Sequence, residues 1–160
     1  MPALSSLRTT PFSPDFSPGA RSAIRTCLRL TPGERITIIT DRETRAIAAS
    51  LLAEVDRIGS EASVFLLEET GERPLRDMPA PVLEDLARSR VSIFAAQARE
   101  GELQSRVQMC GVVNTCRIRH GHMVNISDRI MREGMRADFG VVDRLSAAVI
   151  ARARSASQLK

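Results

Sequence analysis

The chain has 160 residues, 43% of them hydrophobic and only 3% aromatic, which fits one domain built around an aliphatic core. The formal net charge is +4, but the basic residues are scattered among 19 acidic ones and few aromatic rings could stack on bases, which argues against nucleic-acid binding. No apolar run approaches the roughly 20 residues of a membrane-spanning helix. The three cysteines form no CxxC motif, which favours free thiols in a reducing cytoplasm.

The first 18 residues contain four prolines, and this composition predicts a flexible arm before the folded domain. Residues 20–30 follow with an apolar stripe at helical spacing, which predicts a helix whose buried face includes Cys27. The sequence thus divides into an arm at residues 1–18, a single α/β domain at residues 19–154 and a disordered tail at residues 155–160.

Three apolar runs predict strands that are buried on both faces, as in a parallel sheet. They are residues 35–40, 62–67 and 91–96. A helix capped by Thr40 or Asp41 is expected after the first run, and Gly59 should end it. The alternation of strand and helix predicts a three-layer α/β fold, Rossmann-like or flavodoxin-like, with a small, mostly parallel sheet flanked by helices.

The second half of the chain continues the same pattern. Helices are predicted at residues 82–89 and 101–113, and a short fourth strand at residues 118–124. Ser127 and Asp138 are expected to cap two further helices, of which the last carries an apolar face.

Ligands of open α/β sheets bind at the carboxyl ends of the strands, so the segment after residue 40 is the first candidate for a site. It contains no glycine and begins with Asp41, whose charge would repel a phosphate. Binding of NAD, FAD or a nucleoside triphosphate in the usual way is therefore not expected. Asp41 is interpreted as a helix cap or, alternatively, as a ligand contact.

The segment from residue 117 to 123 contains both histidines of the chain. On a strand, His120 and His122 would point to the same face and could share a metal ion. The neighbouring Arg117 and Arg119 would repel a cation, and a catalytic zinc normally takes three protein ligands. Hydrogen bonding at an inter-domain seam, or contact with a substrate carboxylate, is therefore favoured for these four residues.

The order of several motifs resembles the aminopeptidase T (M29-type) metallopeptidase superfamily. The segments that carry the resemblance are GARSAIRTCLRLTPGERITIITDRET, VSIFAAQ, the helix around Arg106 and RHGHMVNISDRIMREGMRADF. The resemblance implies an amino-terminal α/β domain that supplies structure, domain or dimer contacts and part of a substrate cleft. In this family a divalent zinc, cobalt or iron ion is held by the following domain, so no catalytic or metal-binding residue maps onto this chain.

Three hypotheses about function remain open at this point. The chain is part of a split or truncated metallo-aminopeptidase-like protein, or of the ring-cleaving dioxygenase branch of the same superfamily, and partners with itself or with a catalytic subunit. Alternatively it is a stand-alone scaffold, or a module that binds a peptide or a small carboxylate. As a third possibility, a metal at His120 and His122 makes it a small enzyme. The candidate substrate- or anion-binding residues are Arg117, Arg119, His120, His122, Asp41 and Arg106.

Overall fold

The computed structural model describes residues 2–158, in which helices surround a four-stranded sheet. The strands are β1 (Arg35–Thr40), β2 (Glu61–Leu66), β3 (Val91–Ala95) and β4 (Arg119–His122). The α-helices are α1 (Pro2–Arg8), α2 (Ser17–Arg21), α3 (Arg45–Ile58), α4 (Leu67–Thr70), α5 (Ala80–Ala87), α6 (Leu103–Thr115), α7 (Asp128–Arg132) and α8 (Phe139–Ala153). A π-helical segment, Ser22–Cys27, continues α2, and single 3₁₀ turns lie at Pro14–Phe16 and Gly134–Arg136.

The sheet is entirely parallel and has the strand order β2-β1-β3-β4. Its two faces bury separate apolar clusters, one beneath α1, α2 and α3 and the other beneath α5 and α6. The predicted three-layer α/β fold is therefore confirmed. Since β1 lies between β2 and β3, the chain changes direction across the sheet there, and the β1/β3 boundary is the topological switch point.

The β1–α3 unit forms where the sequence predicted it. The apolar residues of β1 are buried on both sides of the sheet, with Ile36, Ile38 and Ile39 all at 0% exposure. Helix α3 ends at Gly59, whose φ of 79° lies in the left-handed region that a side chain disfavours. Asp41 does not cap α3 directly, because the helix begins at Arg45 after a turn that the Asp41 side chain closes.

The amino-terminal segment is part of the folded body, in contrast to the predicted arm over residues 1–18. Helix α1 packs on α3, and both Leu7 and Phe16 are buried in the core. The Arg8 guanidinium donates to both carboxylate oxygens of Asp56 on α3, at 3.0 and 2.8 Å. Prolines at residues 2, 14 and 18 stand at the starts of helices or turns, where their missing N–H costs nothing.

Cys27 is exposed, so its predicted place in the core is wrong. The prediction assumes an α-helix with 3.6 residues per turn. The segment from Ser22 is instead a π-helix, which is wound more loosely, and Leu28 N–H donates to Ala23 O at 2.9 Å. The wider turn keeps Ile24 and Leu28 buried but rotates Cys27 to the surface.

Helix α8 begins at its predicted cap, where Asp138 Oδ1 accepts from the backbone N–H groups of Gly140 and Val141. Its apolar face is not covered by the other described residues, and Leu145 remains 66% exposed. Residues 155–158 of the predicted tail are exposed, and residues 159–160 lie outside the described part. Within residues 2–158, no helix combines the length and the apolar character needed to cross a membrane.

Candidate ligand-binding site

The switch point at the carboxyl ends of β1 and β3 is filled by the Arg73 side chain, which is 1% exposed. Its guanidinium lies 2.9 Å from the Asp41 carboxylate, 2.6 Å from that of Glu102 and 3.3 Å from that of Glu68. It also donates to the Gln97 carbonyl oxygen at 2.7 Å. The usual ligand position of such a sheet is therefore occupied by the protein's own ion pairs.

Asp41 is fully buried within this network, and its oxygens are used by the protein. Oδ2 accepts from Gln97 N–H at 2.6 Å, and Oδ1 accepts from Thr44 N–H at 2.9 Å. Burial opposes ionisation of Asp41, but these hydrogen bonds and the Arg73 contact outweigh it and hold its pKa below the usual value. Asp41 therefore acts as a structural anion, and the alternative of a ligand contact is not supported by its position.

An open groove of about 600 Å³ lies next to the switch point, between α6 and the carboxyl end of β4. Apolar side chains form much of its wall, and they alternate with a few polar groups. The lining residues are Ala98, Leu103, Arg106, Val107, Cys110, Gly111, Asn114, His122, Val124 and Asn125. Leu103 and Val107, on the first turns of α6, are 67% and 54% exposed. This arrangement of an apolar cleft with few convergent polar groups is typical of small-molecule sites.

Arg106 is the cation of this groove. Among residues 2–158, its guanidinium has neither a salt bridge nor a hydrogen-bond acceptor, and its Nη1 atom is buried. The groove lining contains no Asp or Glu side chain in that part of the chain. A buried donor without an acceptor costs about 1–3 kcal/mol, more when it is charged. An anion in the groove would balance the charge of the guanidinium through its nitrogen atoms other than Nη1, which is itself closed off from solvent.

The two histidines form a hydrogen-bonded chain that leads into the groove. Ser92 Oγ lies 2.8 Å from His120 Nδ1, and His120 Nε2 lies 3.1 Å from His122 Nδ1. The His122 ring stacks on Phe94, with 5.5 Å between the ring centroids. The prediction that both histidines share one face of a strand is thus confirmed.

Both imidazoles are held in the neutral form at neutral pH. Burial and, secondly, the neighbouring His122 lower the pKa of His120 to about 4. Burial also lowers the pKa of His122, and the positive charge of Arg106 adds to the effect. The groove is therefore positive because of Arg106 and not because of the histidines.

The structure brings together only part of the predicted set of site residues. Arg106 and His122 line the groove, and His120 lies directly behind His122. Arg117 is exposed at the end of α6 and is not part of the groove lining. Arg119 lies at the opposite end of β4, where it donates to the Leu28 carbonyl oxygen at 2.8 Å and pairs with Glu34.

Sequence reasoning missed Asn114, Asn125 and Cys110 as groove residues. Asn125 has a φ of 56°, a left-handed conformation that asparagine tolerates better than most residues. Its side-chain oxygen accepts from Ala98 N–H at 2.7 Å and so joins the loops after β3 and β4. For Asn125 the sequence gives one weak indication, namely an asparagine soon after a predicted strand. For Asn114 and Cys110 it gives none.

The histidine pair has no third potential metal ligand beside it in the described part of the chain. Within residues 2–158, no three side chains of His, Cys, Asp or Glu come together as a metal-binding group. The acidic residues that do cluster, Asp41, Glu68 and Glu102, already surround Arg73.

No protein-family model matches the chain, and no curated protein matches it.

Proposed function

We propose that the groove beside α6 binds a small organic carboxylate with an apolar body, and that the chain is a binding domain without catalytic activity of its own. The observation that carries the proposal is the Arg106 guanidinium, which has no partner among residues 2–158 and lies in the wall of a largely apolar groove. A guanidinium prefers a carboxylate as its partner because two parallel N–H···O bonds can form.

The composition of the groove selects the class of ligand. Leu103, Val107 and Val124 offer apolar contact to a hydrocarbon chain or ring. An amine would meet the like charge of Arg106, with no acidic side chain in the described groove lining to balance it. A volume of about 600 Å³ admits a ligand larger than acetate or inorganic phosphate, and it falls within the range of about 300–1,000 Å³ of small-molecule sites.

The proposal is tested by titration calorimetry with 4-methylpentanoate as the probe. Replacing Arg106 by methionine, which resembles the aliphatic stem of the side chain but removes the charged group, is expected to weaken binding about 10- to 100-fold, since a hydrogen bond to a charged group contributes about 1.5–3 kcal/mol. Arg42→Met is the matched control, because Arg42 is exposed and lies outside the groove lining.

The two variants remove the same charge, so a general electrostatic effect would appear equally in both. The corresponding amine, 4-methylpentylamine, is expected not to bind to the wild type. Equal affinity of the Arg106→Met variant and the wild type for the acid would contradict the proposal.

A second candidate function rests on helix α8. Five of its large apolar side chains are 44–66% exposed, namely Val141, Val142, Leu145, Val149 and Ile150. A lone helix of this length is only marginally stable in water, which favours a partner surface that covers it. In this candidate, the chain is the amino-terminal domain of a metallo-aminopeptidase-like protein in the cytoplasm, and metal and hydrolysis belong to another domain or subunit.

Sedimentation velocity tests whether α8 takes part in self-association. We expect a concentration-dependent sedimentation coefficient for the wild type and a monomer for Leu145→Glu, since the charge lies in the middle of the apolar face. A wild type that remains monomeric at all concentrations would leave only a separate domain as the partner of α8.

A further inference from the structure

The hydroxyl group of Ser92 fixes the direction of the hydrogen bonds that lead to the groove. Ser92 is fully buried, and in the described residues its Oγ has one hydrogen-bond partner, His120 Nδ1 at 2.8 Å. If His120 donated this bond, the buried serine proton would have no acceptor, which is unfavourable. Ser92 is therefore the donor, and His120 Nδ1 accepts.

The tautomers of both histidines follow from this direction. Neutral imidazole has one N–H group, so His120 carries its proton on Nε2 when Nδ1 accepts. This Nε2–H points at His122 Nδ1, 3.1 Å away, which must then accept. His122, also neutral, is left with its proton on Nε2, the ring nitrogen that His120 does not use.

We propose that Ser92 and His120 are positioning residues that hold His122 as an Nε2–H donor beside Arg106, so that the groove prefers carboxylates with a neighbouring acceptor oxygen, as in 2-oxo acids. The inference rests on the proposed function of the groove. It deepens that function because Arg106 and His122 both line the groove and both carry N–H groups. Arg106 binds the carboxylate, and His122 takes the adjacent oxygen.

The tautomers can be measured directly in the ligand-free protein. Two-bond ¹H–¹⁵N correlation spectra at pH 7 distinguish Nε2–H from Nδ1–H imidazole, and the chain has only two histidines to assign. We expect the Nε2–H form for both rings in the wild type. In Ser92→Ala, which removes the first donor, His122 should shift towards a mixture of tautomers. A wild-type spectrum with the His122 proton on Nδ1 would overturn the inference, whether or not Ser92→Ala folds.

Ligand selectivity provides the second readout. The wild type is expected to bind 4-methyl-2-oxopentanoate about tenfold more tightly than 4-methylpentanoate, as one additional hydrogen bond of about 1.4 kcal/mol would give. His122→Phe keeps an aromatic ring against Phe94 but has no donor, so the ratio of the two affinities should fall towards one.

These experiments distinguish the role of His122 in selectivity from the carboxylate binding of the groove. An unchanged ratio in His122→Phe would reject the role of His122 in selectivity. Binding of the plain acid that still depends on Arg106 would leave the proposed function of the groove intact. Loss of that dependence would reject the groove function itself.

Discussion

Replacing Arg73 by methionine is expected to lower the free energy of unfolding by about 3–5 kcal/mol, because the change leaves buried carboxylates without their cation. Asp41 is fully buried, and Glu102 is 4% exposed in its side chain. Both have pKa values held below their usual range, partly by Arg73, so both are charged at neutral pH. Methionine fills similar space but cannot balance these charges.

Urea denaturation at pH 7 measures this loss, and Arg99→Met is the control. Arg99 belongs to the same network but is 41% exposed, at 3.5 Å from Glu43 and 3.9 Å from Glu68. Exposed pairs of this kind contribute less than about 1 kcal/mol. Similar losses in the two variants would show that the switch point is not the tightly coupled, buried network described here.

The stability of the protein is also expected to fall as the pH decreases from 6.5 to 4, because of His120. Burial lowers the pKa of His120 to about 4 in the folded protein, compared with about 6.5 in the unfolded chain. Between these values the unfolded chain binds a proton and the folded protein does not, so acidification favours unfolding. The difference between the two pKa values corresponds to a loss of about 3 kcal/mol in the free energy of unfolding. This loss is complete near pH 4 and absent above pH 7.

The contribution of His120 is isolated by comparing the wild type with His120→Gln in urea at pH 7 and pH 4.5. Glutamine can still bond to Ser92 but does not titrate, so the variant should lose about 2 kcal/mol less stability than the wild type on acidification. If both proteins lose the same amount, His120 is not the group responsible.

Much of the fold could be predicted because local patterns determine it. The apolar runs of β1, β2 and β3 predicted the parallel sheet, and all three strands lie within one residue of the expected bounds. The features that the prediction missed, such as the folded amino-terminal segment, depend on tertiary contacts. Proline content indicates an arm at residues 1–18, yet Leu7 and Phe16 are buried in the apolar cluster beneath α1, α2 and α3.

The candidate site was predictable only where it lies on a single element. His120 and His122 share a face because side chains on a strand repeat every two residues. The approach of Arg106 to His122 depends on how α6 packs on the sheet, which no local pattern encodes. Arg73 lies in a loop with no motif, and its partners Asp41 and Glu102 are 32 and 29 positions away, so nothing in the sequence identified the switch-point network.

A crystal structure of the protein with 4-bromobenzoate would test most directly whether the groove is a carboxylate site. The bromine atom gives an anomalous signal that locates the ring independently of the protein density. We predict the carboxylate within about 3 Å of the Arg106 guanidinium, with the bromine against Leu103 and Val107. A crystal soaked at saturating concentration in which the groove holds no ligand, or in which the bromine lies elsewhere on the surface, would contradict the proposal.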